Sequence, residues 1–502
     1  MSKIVKNTIF LYFRMIVVLA VSLYTSRVIL DGLGVEDYGI YNVVAGLVVS
    51  FSFITTTLSA TSMRYYSLEI GRDNTEGLIR LFNTNIQIFC IVSVAFLLFA
   101  ETVGLYLMYH ILNIPDERFS AAIVLFQLSV ISCILQIIQT PFSAAIIASE
   151  RMSFYGYIGI IEALLKLTIS IIICNTVFDR LIYYGILLMA MYLIILIIYI
   201  IYAKKKISFC CFKKVRDSKL FKGILSFSGW SLFESIADIL SIQGISVLLN
   251  VFYGVIVNAA AGVAAQVTSV VWGFISNFQT AFKPQMIKYY SQGDKDNYER
   301  LLFQTSKFSY FLYFIVAAPV FINLPLLFEL WLKHVPDYSL DISRVVLINL
   351  FVGTLATPIW VLIQAQGSVQ KYQYSVTSIV LLNLPFAFLA LELGFSPVFV
   401  YITRGIVAGL CHLSRIIFMK KQLNIGIRLY VSKVIVPLSI CTMLAAIPPL
   451  ITYSVTTGFT QLFLSTIVSL LTDIFVFYFI GMTKGERQVV SQYVITLKNK
   501  IL

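Results

Sequence analysis

The chain has 502 residues, 59% of them hydrophobic and only 12% charged, with a mean hydropathy of +0.89 and a formal net charge of +13. A water-soluble domain carries about 25% charged residues, so this composition excludes a soluble fold and indicates a surface facing lipid, where charge is costly. The positive excess lies in loops beside apolar stretches, the pattern of a cytoplasmic membrane face, and gives no reason to invoke nucleic acid.

A helix crossing a bilayer needs about 20 mostly apolar residues. Fourteen such stretches follow one another, at 8–30, 39–62, 83–108, 119–147, 155–176, 181–202, 223–248, 255–281, 304–331, 342–365, 372–391, 395–418, 430–453 and 457–481. The first follows a basic N-terminus, is long and lacks a small-residue cleavage site, so it reads as an uncleaved helix. Pro141, Pro319, Pro325, Pro358 and Pro385 interrupt later spans, which is tolerated where neighbouring helices or water satisfy the freed backbone. Of the 37 Lys and Arg, 29 fall on alternate connections that include both termini, and four (Arg118, Arg180, Lys333 and Arg344) on the others. This bias puts both termini in the cytoplasm. The outer loops are short and leave no room for an external catalytic domain.

The longest hydrophilic stretch, Lys204 to Lys222, divides the chain near its middle, and a weak internal repeat straddles it. SRVILDGLGVEDYGIYNVVAG followed by RYYSLEIGRDN in the first half answers ISVLLNVFYGVIVNAAAGVAA followed by KYYSQGDKDN in the second. Each copy has a span, a Gly-containing outer turn, a second span and a basic Tyr-Tyr-Ser exit. An even number of spans separates them, so the halves share orientation, as in transporters with a substrate path between parallel repeats. The expected organisation is an all-α integral membrane protein with an N-terminal lobe at 1–203, a basic cytoplasmic linker at 204–222, a C-terminal lobe at 223–419, and spans thirteen and fourteen with a cytoplasmic tail at 420–502.

LYFRMIVVLAVSLYTSRVILDGLGVEDYGIY, MSFYGYIGIIEALLKL, SFSGWSLFESIA and NFQTAFKPQMIKYYSQGD resemble segments of polysaccharide flippases of the Wzx type, in the multidrug/oligosaccharidyl-lipid/polysaccharide exporter superfamily. The resemblance covers nearly the whole chain. It implies a MATE-like V of two lobes around a central cavity in a bacterial inner membrane. It further implies translocation of an undecaprenyl-pyrophosphate-linked oligosaccharide, an O-antigen or capsule repeat unit, from the inner to the outer leaflet. Membrane lipid and other polysaccharide-assembly proteins are the implied partners. By analogy alone, the last two helices border a groove for the lipid tail.

Such a substrate needs a hydrated, cationic cavity, and Arg suits pyrophosphate because its fork donates paired hydrogen bonds and stays charged. The candidate cations within spans are Arg14, Lys166, Arg404 and Arg27. Snorkelling to an interface competes for Arg14 and is the favoured account for Arg27; Arg64 reads as an interfacial anchor. Glu162 and Lys166, four apart with the acid first, either neutralise each other or leave Lys166 to the substrate. Glu234 and Asp238, also four apart, either bind a coupling H+ or Na+ or serve as counter-charge to Arg14 or Arg404. Asp473 stands alone in the last span. Trp230, Trp272, Trp331 and Trp360 read as packing or belt residues. The seven cysteines and three histidines show no metal spacing, no catalytic set emerges, and no P-loop is present, so no cofactor and no enzymatic activity are expected. The competing function is a multidrug or cation antiporter of the same superfamily; a membrane-bound polysaccharide polymerase or ligase ranks third.

Overall fold

The computed structural model describes residues 2–49, 52–110, 114–253, 255–332, 335–367 and 369–488, and these are helical almost throughout, with no strand among them. In chain order the helices are α1 Ser2–Val49, α2 Ser52–Gly71, α3 Thr75–His110, α4 Asp116–Ala148, α5 Met152–Cys174, α6 Arg180–Lys206, α7 Ser218–Tyr253 and α8 Val255–Ser291. There follow α9 Lys295–Trp331, α10 Ser339–Gln366, α11 Gln370–Glu392, α12 Pro397–Leu423, α13 Ile427–Val455 and α14 Gly458–Gly481. Lys333 and His334, read as outer-loop residues, lie outside the described set, as do Gly254 of the second repeat and the tail from 489.

Among the described residues, twelve helical segments are long and apolar enough to cross a membrane: Asn7–Gly34 of α1, α3 to α7, and α9 to α14. The two remaining expected spans are helical too. Residues 39–62 fall on the second part of α1 and on α2, either side of residues 50–51, and 255–281 fall on α8. Both are rich in Ser, Thr, Ala and Gly, which suits helices that pack against neighbours more than against lipid. They hold equivalent places in the two copies of the repeat.

The chain forms two compact units, Lys6–Leu232 and a second beginning at Phe233. Their internal packing repeats. In the first unit α4 is the hub, set against α2, α3 and α6; in the second, α10 is set against α8, α9 and α12. Each hub carries an internal proline, Pro141 and Pro358. The exits after α2 and α8 also match. A left-handed residue, Asp73 (φ 52°) or Gly293 (φ 69°), precedes a side-chain cap. Asn74 accepts from the Gly77 amide at 2.9 Å, and Asp294 from the Asn297 amide at 3.2 Å, satisfying an otherwise orphaned helix-start donor. On this register the Tyr65-Tyr66 and Tyr289-Tyr290 pairs stand one helical turn out of step, so the Tyr-Tyr-Ser likeness is approximate where the turn likeness is close.

In α1 the outer turn is a break at Gly34 (φ 79°, ψ 170°), a conformation that needs glycine. A clamp holds this turn. Arg118 donates to both carboxylate oxygens of Asp37 and reaches Asp179 at 2.7 Å, while Arg180 donates to the Gly32 carbonyl at 2.9 Å. Burial alone would raise the Asp179 carboxyl; hydrogen bonds from Arg118 and from the Ile182 and Leu181 amides prevail and hold it below the usual carboxylate range. Arg118 and Arg180, two of the cations that the sequence reading places on the outer side, thus act as structural ties.

The stretch from Ile207 to Asp217, after α6, is strapped onto the first unit. The Asn83 amide donates to the Cys211 carbonyl at 2.9 Å and its oxygen accepts from the Lys213 amide at 2.8 Å. Gln87 adds a bond to the Val215 carbonyl at 2.9 Å. Phe209 packs on Tyr66, and Phe212 sits against Phe82 and Phe142. Burial, and then the neighbouring Cys211, push the Cys210 thiol up to about 12, so it is inert near neutral pH.

Candidate functional site

In the first unit the polar interior is built on α1, α5 and α6. The helix α5 carries small residues at 156 and 159, which let α1 approach closely. A Cβ on Gly156 would sit 3.6 Å from the Phe10 carbonyl, and one on Gly159 would overlap the Arg14 side chain. Arg14 therefore lies in a slot against α5 backbone, with its guanidinium carbon 4.6 Å from the Tyr155 ring centre. Its Nε is buried without a hydrogen-bond partner, and no ion pair joins Arg14 among the described residues. The slot defines the residue's setting: half-buried and packed on an aromatic face.

Further along α5, Glu162 and Lys166 form the ion pair their spacing allows, Nζ to Oε1 at 2.8 Å, and Lys166 also stands 5.4 Å from the Tyr192 ring centre. Tyr199 is in electrostatic reach of both Arg14 and Glu162, and Tyr192 of Lys166 and Tyr41. Tyr41 meets Tyr184 edge-on at 5.0 Å. Arg14, Tyr155, Tyr199, Glu162, Lys166, Tyr192 and Tyr41 thus form one continuous aromatic and charged band inside the unit. Arg27 is not part of it; that side chain is exposed. Arg64, expected as an interfacial anchor, is only 5% exposed and sits between the Tyr65 and Phe227 rings at 4.7 and 4.5 Å.

The second unit holds a different cluster, on α7, α11 and α12. Arg415 donates from Nε to the Tyr372 hydroxyl at 2.7 Å, and Tyr372 stacks on Trp360 with centroids 4.5 Å apart. Glu234 lies in electrostatic reach of Arg415 and beside Gln373; Asp238 lies in reach of Arg404 and Arg415. The two acids are therefore brought together with two guanidinium groups of their own unit. His412 stands beside Arg415. The helix α12 is held against α10 next to Arg404, where Asn349 donates to the Tyr401 carbonyl at 2.8 Å over Gly405, a position at which a Cβ would overlap the Asn349 side chain.

Sequence reasoning counted Arg415 among the cytoplasmic charges and passed over Tyr372 and Gln373. A usable signal was present: Arg404 and Arg415 are eleven residues apart, about three turns at 3.6 residues each, so they share a face of α12. Lys283 on α8 was likewise counted as topogenic. It is half-buried, with no ion pair or hydrogen bond among the described residues, near the buried Gln279.

A separate apolar cavity of about 500 Å³ opens between α9, α10 and α13, lined by Tyr310, Tyr313, Phe314, Phe351, Leu438 and Met443 among others. Beyond it, Lys307 and Glu486 form a buried ion pair at 2.6 Å, with Glu486 also accepting from the Thr483 amide at 2.7 Å.

No family model and no curated protein matches the sequence. Solved structures do match. A variant of a MATE transporter superposes with a TM-score of 0.74 at 13% identity, covering 84% of this chain and 97% of that one. An outward-facing multidrug-resistance MATE transporter of the MOP superfamily gives 0.70 at 12% identity, over 84% and 95%. A MOP-superfamily transporter from Pyrococcus furiosus, described by a reversed polarity of its binding pocket that suggests a different function, gives 0.72 at 13% identity, over 83% and 96%. The chain has the MATE/MOP transporter fold and is a multi-pass membrane protein.

Proposed function

We propose that this chain is a transporter that turns a lipid-linked oligosaccharide carrying a pyrophosphate from the inner to the outer leaflet of a bacterial cytoplasmic membrane, by alternating access, with both termini cytoplasmic. The observation that carries the reading is the slot for Arg14: a guanidinium inside the first span, stacked on Tyr155 and without an acidic partner among the described residues. An uncompensated cation at membrane depth is costly unless it serves an anion, and a guanidinium matches paired phosphate oxygens. Lys283 adds a second such cation. Lys166 and Arg404 contribute charge shared with acids, and Arg27 is assigned a minor, interfacial part. The apolar cavity between α9, α10 and α13 has the chemistry to take a hydrocarbon chain.

The deciding measurement is the leaflet accessibility of labelled glycan in host cells lacking the protein, with and without a restored copy. Accumulation on the cytoplasmic side, relieved by the copy, is the expected outcome. A normal distribution with altered drug sensitivity would move the assignment to a multidrug or cation antiporter, which the acids Glu234 and Asp238 favour and with which the fold is equally consistent.

A further inference from the structure

The last span holds a carboxyl that the proposed function does not use. On α14, Ser465, Ser469 and Asp473 recur every four residues and form one stripe, and all three are fully buried. The helix packs against α9 and α13. Ser465 donates to the side-chain oxygen of Asn323 on α9 at 2.9 Å, and Asn323, itself fully buried, donates to the Pro319 carbonyl at 3.0 Å. Ser469 donates to Asp473 Oδ2 at 3.3 Å, while Asp473 Oδ1 is sealed from solvent with no hydrogen-bond partner.

The neighbours offer no counter-charge. From α9, the Tyr310 phenol is in electrostatic reach of Asp473, and Lys307 is already paired with Glu486 at 2.6 Å. On α13, Cys441 and Thr442 stand beside Tyr310, Thr442 bonded to its hydroxyl. Among the described residues no ion pair includes Asp473. A fully buried carboxylate with a free oxygen and no cation is not a stable arrangement in a bilayer interior; the missing charge is supplied from outside the chain.

We propose that Asp473 is the receiving group for a small monovalent cation, H+ or Na+, between α9, α13 and α14. A divalent ion is a poor fit, since no cluster of three acidic, His or Cys ligands is present among the described residues. Occupancy has a structural consequence. Tyr310, in electrostatic reach of Asp473, is hydrogen-bonded to Thr442, and both Tyr310 and Thr442 line the apolar cavity. Neutralising Asp473 lets the three helices close, and an unneutralised carboxylate loosens that wall of the cavity. This inference does not depend on the identity of the transported substrate.

The test is infrared difference spectroscopy of the purified full chain in nanodiscs, wild type against Asp473→Asn, with pH and Na+ varied separately. A protonated-carboxyl band that disappears on alkalinisation in sodium-free buffer and is missing in D473N identifies the proton. A carboxylate band that shifts on adding Na+ at fixed pH, again only in the wild type, identifies sodium. A band that answers to neither, or a response that survives in D473N, overturns the proposal. Should D473N fail to fold, Ser469→Ala keeps the carboxyl but removes its hydrogen-bond donor. The midpoint of the response should then shift severalfold in cation concentration, and an unshifted midpoint removes Asp473 from the site.

Discussion

The two units share a packing plan and differ in how they place charge. In the first, Arg14 is held by shape and aromatic surface, in a groove that exists because position 159 has no side chain. In the second, Arg404 and Arg415 stand among acids, and Arg415 is fixed by Tyr372. A cation held by an aromatic face keeps its hydrogen-bonding fork for a ligand, whereas one neutralised by a carboxylate spends it internally. Among the described residues Arg14 has no ion pair, whereas Arg404 and Arg415 each have an acid in electrostatic reach.

The sharpest way to break that comparison is Arg415→Ala, which leaves Glu234 without its facing guanidinium. Glu234 lies in electrostatic reach of Arg415, so the protein lacking that charge should lose thermal stability along with transport. Adding Glu234→Gln should restore much of the stability, read by melting in detergent. Gly159→Ala comes next. Crowding Arg14 costs about 1–3 kcal/mol and should impair transport as strongly as Arg14→Ala, whereas Gly409→Ala, with open space around it, should not. Asn83→Ala removes two bonds to the strap, a loss of about 1–3 kcal/mol, and should expose the stretch from Ile207 to Asp217 to limited proteolysis with little change in transport. The outer clamp is weaker and pH-dependent. Because the Asp179 carboxyl is held below its ordinary value, the stabilisation it contributes is complete above the unfolded pKa of about 4 and fades as pH falls further. Hydrogen exchange around Gly34 and Leu181 should accelerate there, and Asp179→Asn should abolish the pH dependence. Arg27→Ala should have the smallest effect, with near wild-type transport beside clear losses in Lys166→Ala and Arg404→Ala. Equal activity in all three would remove the cationic-band reading.

Hydropathy made the spanning helices legible because the bilayer imposes a length on every one of them. Residues 39–62 and 255–281 read as spans as well and are helical where described, although neither counts among the described segments apolar enough to cross a membrane. The i to i+4 spacing of Glu162 and Lys166 put them within reach of each other on one rigid helix but left open whether they pair, and the structure shows the pair formed. Arg415 and Lys283 were missed for the opposite reason. They lie near span ends that the sequence reading places in the cytoplasm, where a topogenic charge and a functional one look alike, and only tertiary neighbours such as Tyr372 separate the two. Asp473 carried no partner in sequence and gained meaning from the sealed space around it.

The division between the compact units falls at Leu232 and Phe233, within α7, fifteen residues beyond the strapped stretch that ends at Asp217. Anyone severing this polypeptide for two-fragment expression would choose the hydrophilic loop, and would thereby leave the opening turns of α7 on the wrong piece. Fragments that overlap through Leu232 should complement each other better than fragments that merely abut at the loop.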